Sequence, residues 1–506
     1  MKKIILRTIF LLTFIIILLI SYLSIIGIET ERFNKQIKDN VKNLNQNFDV
    51  DLEKIKIMID PLRFNINAKT IGPKVKLKDK VLKLETIKSQ ISIKSLIDNE
   101  FSLSNLEVST KPLEIKDLIF FVRTLKNSPQ LYLLEKLVKN GYLVAEIDLE
   151  FDENGKIKNN FEIQGIVRDA NIDFFKKYDL NKLSFSFNLT NNSYEFEDVK
   201  TSLNEISLSS KKISLKSIND YFLVDTILEN ENTNLSKENI NLLVKPLVSN
   251  LDINKIDFNS ENKISFKIDK NFKIDNFKMI TKIKLNELSF LNKLNLKEIF
   301  PELKKDIIIK DHFITLNLEK NDLNIDGIGK IFIQNQDDEI SYSIKKKKNK
   351  YLFNSKLNIT DNPFEIIFLN YKKKDKSKIK IEIEGFHILN QKTEIDAVKL
   401  KEQNNLININ NLELDKNLKI NNFKSLELSY FDKDKKKNQI KIYKKKKKYI
   451  VTGSSFNADK LIDNIINEEV KKNNFFNKNL NFIIKIDQIF LDKRYKLNNL
   501  SGKFNL

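Results

Sequence analysis

A turn that keeps returning limits what this chain can become. Its clearest form is the nine-residue run Asp269-Lys270-Asn271-Phe272-Lys273-Ile274-Asp275-Asn276-Phe277. It recurs from Asp415 to Phe423 and from Asp492 to Leu500, and a looser copy opens at Asp152-Glu153-Asn154-Gly155-Lys156-Ile157. An alternating segment leads into each copy, for example Ile264, Phe266 and Ile268, or Leu412 and Leu414. Another alternating segment leads out. Asn or Gly at the third position suits a tight hairpin, because both tolerate a positive φ. The pattern predicts a series of hairpins, hence a mainly β chain built by repetition.

Composition narrows the class of partner. Lys+Arg number 88 against 68 Asp+Glu, a formal charge of +20, and only six of the basic residues are Arg. Such a charge favours anionic surfaces. Nucleic-acid recognition would call for arginine forks and aromatic platforms, so nucleic acid is not expected as a partner. Without cysteine there are neither disulfides nor thiolate metal sites.

The amino terminus reads as a membrane anchor. Ile9–Gly27 is almost wholly apolar, and as a helix it would span about 30 Å, the thickness of a hydrocarbon core. Lys2, Lys3 and Arg7 precede it and hold that end in the cytoplasm. A cleaved signal peptide would want a shorter apolar region and an Ala-x-Ala site, and none follows Tyr22. The expectation is a cytoplasmic tail over 1–8 and a single transmembrane helix over 9–28. The rest then lies across the membrane, which in a bacterium is the periplasm.

Next, Phe33, Ile37, Val41, Leu44 and Phe48 fall on one helical face. Short alternating runs follow: Ile55, Ile57 and Ile59; Phe64 and Ile66; Val75 and Leu77; Leu82 and Leu84; Ile91 and Ile93. Their alternate positions carry mainly Lys, Asn or Ser, the mark of a sheet wet on one side. These eleven apolar residues are the candidates for the lining of a groove.

This order resembles the start of the AsmA-like family of Gram-negative envelope proteins, relatives of TamB and YhdP. The features are one membrane helix, an amphipathic helix, Ile55-x-Ile57-x-Ile59 with Pro61, Phe64 and Ile66, Gly72-Pro73-x-Val75, Leu84-Glu85-x-Ile87, and Ser95-Leu96-Ile97. Gly453-Ser454-Ser455-Phe456-Asn457-Ala458-Asp459 is similar to a turn of the YhdP-like branch, with Asn457 and Asp459 where that turn carries Asp and Arg. The resemblance implies a taco-like β-groove that moves phospholipid between the inner and outer membranes.

Residues 29–112 are thus expected to form the amphipathic helix and an AsmA-like N-terminal β-groove. Leu118, Ile119, Val122 and Leu125, then Leu131, Leu134, Leu137 and Val138, predict a helical pair over 113–142, broken at Ser128-Pro129 and stopped by Gly141. Residues 143–452 read as the hairpin array, with helical insertions near 236–251, capped by Ser236, and 291–304. Lys345–Lys348 and Lys444–Lys448 are expected at hairpin tips, solvated or touching anionic headgroups. A helical insertion follows over 453–475, then a further β-repeat over 476–506. That repeat stops inside a strand-like segment, as a fragment of a longer protein would.

Chemistry is not signalled. His312 and His387 lie far apart in strand-like segments, and no phosphate loop, nucleophile elbow or metal-spaced cluster is found. No catalytic residue, cofactor or metal is predicted, and an enzyme is the weakest class. Two readings stay open. In the first, a long sheet curls into a trough whose apolar side holds acyl chains. Roughly two dozen strands at about 4.8 Å would build something on the order of 100 Å. The partners are then phospholipid, the inner membrane, and outer-membrane or other envelope proteins. In the second, the array packs shut around its own side chains as an envelope scaffold or outer-membrane assembly factor.

Overall fold

The computed structural model describes all residues except 1, 45–47, 78–79, 99–102, 126–127, 175–177, 245–250, 270–272, 294–295, 321, 389–390, 416–419, 447, 467–480, 493 and 506. The chain is mainly β, with one long helix at its start and a few short ones. It divides into two compact units, 1–228 with 265–275, and 229–264 with 276–506.

The long helix, Lys2–Ile25, is long and apolar enough to cross a membrane. None of it is buried by the rest of the chain. The hydroxyls of Thr8 and Thr13 donate back to the Ile4 and Ile9 carbonyls, so neither is left unmet in an apolar medium. At Gly27 the chain turns through a φ of 73° into the short strand Ile28–Thr30, which pairs with Ile55–Ile57. The amphipathic helix Asn34–Leu44 packs on the strand Phe48–Asp51, and Lys38 reaches Asp49 at 3.2 Å.

In the first unit the ladder grows mostly by sequence neighbours, all antiparallel. Ile55–Asp60 pairs with Asn65–Ile71, that strand with Lys80–Ser92, and that with Leu103–Thr110. Val138–Glu150, Glu162–Phe174, Tyr178–Thr190, Ser193–Leu203 and Ile206–Ile218 continue it. Several strands are bent partway. Asp169, Lys182 and Asp198 adopt φ of 51–54° inside strands, and the register shifts beside each of them. Such bulges bend a strand and increase its local twist.

The helical pair is present as Ile115–Leu125 and Pro129–Leu137, and Ser128 caps the second through its hydroxyl. Gly141 does not end that helix. The strand has already begun at Val138, and Gly141 lies within it at φ 132°, where a Cβ would stand 2.7 Å from the Ala170 backbone. Gly is required there for close approach of two strands.

The second unit runs from Asp306–Glu319 through Asp322–Phe332, Asp338–Lys347, Lys350–Ile359, Ile379–Ile388, Lys392–Glu402 and Asn405–Leu414. Ser425–Phe431, Lys437–Lys445 and Lys448–Asn457 follow. The next pairing is parallel: Asn481–Phe490 lies along Lys448–Asn457 in the same direction. Lys496–Asn505 then closes the run antiparallel. A parallel step needs a crossover, and the helix Asp459–Ile466 begins it.

Several sequence-based boundaries move. Gly453–Asn457 belongs to a strand, so the helical insertion starts at Asp459. Near 291–304 the described residues form turns, not a helix. Near 236–251 one helical turn, Lys237–Asn239, runs into the π-helical turn Ile240–Val244, with Ser236 as its cap. Lys345–Lys347 end a strand, and only Lys348 and Asn349 make the turn.

Asn271 and Asn417 lie outside the described residues. The described parts of the recurring turn place its anchor at the first position instead. Asp269 Oδ1 accepts the Lys273 N–H at 2.8 Å, and Asp152 Oδ1 accepts those of Asn154 and Lys156 at 2.9 Å. Asp492 Oδ1 accepts the Arg494 and Tyr495 N–H groups at 2.6 Å. The carboxylate closes the loop from inside, as Asx turns do. At the eighth position Asn276 and Asn499 adopt φ of 51° and 57° within strands.

Candidate functional site

The candidate site is one face of the sheet in the first unit. Residues directly opposite in an antiparallel ladder share a face, so it can be followed strand by strand. Ile59 faces Ile66, which faces Ile91, which faces Leu103. One row along, Ile87, Val108, Ile147 and Ile163 form a second line. Leu189, Tyr194 and Leu215 carry that second line onward, joined by Phe187, Phe196 and Ile213. Nine strands contribute, so the face is roughly 40 Å across at about 4.8 Å per step. All these side chains are partly exposed; none is buried.

The opposite face is charged. Lys88 meets Glu107 at 2.5 Å, Asn105 donates to Asp148 at 2.7 Å, Gln164 to Glu146 at 3.0 Å, and Lys212 meets Glu195 at 2.8 Å. The hydrogen bond to Glu107 holds the Lys88 ammonium above the ordinary lysine range. Such exposed pairs add little stability. They do mark which side faces water.

The eleven groove candidates separate into three groups. Ile57, Ile59, Ile66 and Ile91 lie on the partly exposed apolar face, and Ile55 is buried at its edge. Val75, Leu77, Leu82 and Leu84 belong elsewhere. Val75 faces Leu82, and Leu77 faces Phe48. Leu77 and Leu82 are buried with Phe48, Leu113 and Phe121 beneath the helix Ile115–Leu125, and Val75 packs on the same cluster. These three fill a small closed core, because the helix covers that end of the ladder; Leu84 is buried opposite Thr110 in the neighbouring pairing. Phe64 is in no strand: it sits in the turn at φ 52° and is 67% exposed. Ile93 begins the short helix Ile93–Ile97.

In the second unit one face of the sheet is partly closed. Ile359, Ile379, Leu400, Ile407, Leu428 and Ile440 are buried. Phe300, Phe364, Leu369, Tyr371 and Phe456 pack over them, joined by Ile462 of the helix Asp459–Ile466. Buried polar groups fasten this cover. Glu402 accepts from the Tyr371 hydroxyl at 2.7 Å, the Lys374 N–H at 2.8 Å, the Asn405 amide at 3.0 Å and the Ser377 hydroxyl. Burial pushes the Glu402 carboxyl up, but these donors outweigh it and hold it below the usual range.

Asn457, in the Gly-Ser-Ser-Phe-Asn segment, donates to Asp432 at 2.7 Å, and its N–H donates to Asn438 at 2.7 Å. Sequence reasoning missed this carboxylate and amide network. Its members look like ordinary polar residues at strand ends, and its partners are distant in the chain.

The histidines stay apart. His312 lies opposite Leu285 and His387 opposite Tyr351, with three strands between theirs, on the order of 20 Å. His312 is fully buried, stacked on Tyr342 with ring centroids 5.4 Å apart, and burial pushes its imidazole down. A Cβ on Gly329 would lie 2.5 Å from its Nδ1. Among the described residues no group of three or more His, Asp or Glu could hold a metal.

Fold and face together define a mainly β protein with one N-terminal apolar helix and an apolar sheet face left partly open. No family model matches the chain, and no curated protein matches it.

Proposed function

We propose that the protein is a carrier of phospholipid, not an enzyme. Its helix sits in the inner membrane of a Gram-negative envelope, and its β-face shields acyl chains on their way through the periplasm to the outer membrane. The apolar face in the first unit supports this reading. More than a dozen aliphatic and aromatic side chains share one side of nine strands and stay partly exposed, although Phe187 packs against the buried Leu143, Ala145 and Val167. Each CH₂ of a lipid tail laid against such a face gains about 0.8 kcal/mol. The AsmA-like order of the N-terminal elements supports it further.

A photo-crosslinker at Ile57 should capture phospholipid, and one at Lys56, on the other face, should not. Capture of protein side chains alone at position 57 would end the carrier reading.

The second unit favours the scaffold reading over part of its length, since Phe300, Phe364, Tyr371 and Phe456 fill the face there. The same crosslinker at Leu400 should find only protein. Lipid captured there would remove the case for a closed core.

A further inference from the structure

The second unit carries a basic rim that neither the open face nor the closed core requires. Strands Asp306–Glu319, Asp338–Lys347, Ile379–Ile388, Asn405–Leu414 and Lys437–Lys445 run one way, and their antiparallel partners return. Their following turns therefore fall on one side of the sheet. There lie Lys320, Lys345–Lys348, Lys350, Lys392, Lys444 to Lys446 and Lys448, all exposed except Lys346, which is partly so. The covered end, with Glu402 and Asn457, is at the opposite ends of the same strands.

Polarity changes in order along each strand. On one face of Asp338–Lys347 the sequence is Ile340, Tyr342, Ile344, Lys346, and on Lys437–Lys445 it is Ile440, Ile442, Lys444. Rings sit where the two zones meet. Lys346 lies 5.5 Å from the partly exposed Tyr351 ring on that face, and Lys350 is 3.8 Å from that of Phe386 on the other; Tyr449, 6.0 Å from Lys444, is buried. Aliphatic, then aromatic, then lysine is the order that proteins show across a bilayer interface. No carboxylate among the described residues pairs with Lys345 to Lys348 or with Lys445, while Glu319 and Glu394 on that side already pair with Lys278 and Lys392.

We infer that this rim docks on an anionic phospholipid surface, its lysines at the phosphates and the Tyr351 and Phe386 rings at the headgroup boundary. The inference rests on the carrier reading and deepens it by giving the second unit a membrane contact of its own.

The test uses the full chain held by its N-terminal helix in phosphatidylcholine nanodiscs and measures capture of separate vesicles. Vesicles with phosphatidylglycerol should be captured at least tenfold better than pure phosphatidylcholine vesicles, and the difference should shrink as salt is raised. A variant with Lys346→Glu, Lys348→Glu, Lys445→Glu and Lys446→Glu should fall to the neutral level, and the matching Lys→Arg variant should retain capture. Equal capture of neutral vesicles, undiminished capture by the glutamate variant, or duplex RNA displacing the vesicles would each overturn the inference. Lipid crosslinking at Ile57 reads the groove and should survive the glutamate substitutions, so either proposal can fail alone.

Discussion

Two buried carboxylates in the second unit meet opposite fates. Glu402 has four donors and stays charged. Asp338, 2% exposed, has one described donor, the Asn362 amide at 2.9 Å, and its Oδ1 has none. Burial pushes its pKa up to about 6. A carboxyl whose folded pKa exceeds its unfolded value binds more protons when folded, so its charge weakens the fold above pH 6. That penalty is relieved as pH falls from about 6 toward 4. Keeping such a carboxyl ionised at neutral pH costs the fold about 3 kcal/mol. Asp338→Asn should therefore raise the unfolding midpoint at pH 7.5, and the gain should vanish at pH 4. A gain equal at both pH values would show that Asp338 is not buried as a charge. None of this was legible in advance, because Asp338 and Glu402 sit among many carboxylates that alternate with lysine, and only the fold distinguishes them.

At the scale of elements, the recurring turn shows how one residue type serves two environments. Asp152 closes an exposed loop, whereas Asp432 closes a similar one through the Lys436 N–H at 2.8 Å while also holding buried Asn438 and Asn457. Asp432→Ala should cost about 2–4 kcal/mol, since Asn457 would keep a buried amide without its partner. Asp152→Ala should shift the thermal midpoint little. Equal losses would assign the whole effect to the turn. Most strands were legible, because alternation reports a half-wet sheet directly. The parallel pairing of Lys448–Asn457 with Asn481–Phe490 was not, since nothing in either segment tells a crossover from a hairpin when an insertion lies between. The closed core holding Leu77 and Leu82 was missed for a similar reason. Alternation says that a face is apolar, but not that the helix Ile115–Leu125 covers it.

For the molecule as a whole, the first matter is which side of the membrane each end occupies. With Lys2, Lys3 and Arg7 ahead of the helix, a reporter fused after Leu506 should be active only in the periplasm. Cytoplasmic activity would refute both the carrier and the scaffold reading. The ladders carry a different consequence. Nearly every strand is hydrogen-bonded to the strand beside it in sequence, as in other nearest-neighbour arrays. Removing an adjacent pair, such as Asp338–Lys347 with Lys350–Ile359, leaves the direction and the inward face of every later strand unchanged. Length is then a quantity that ancestry can adjust two strands at a time, without redesign of what remains. The crossover at Lys448–Asn457 breaks that freedom, because an odd step there would turn every later strand around.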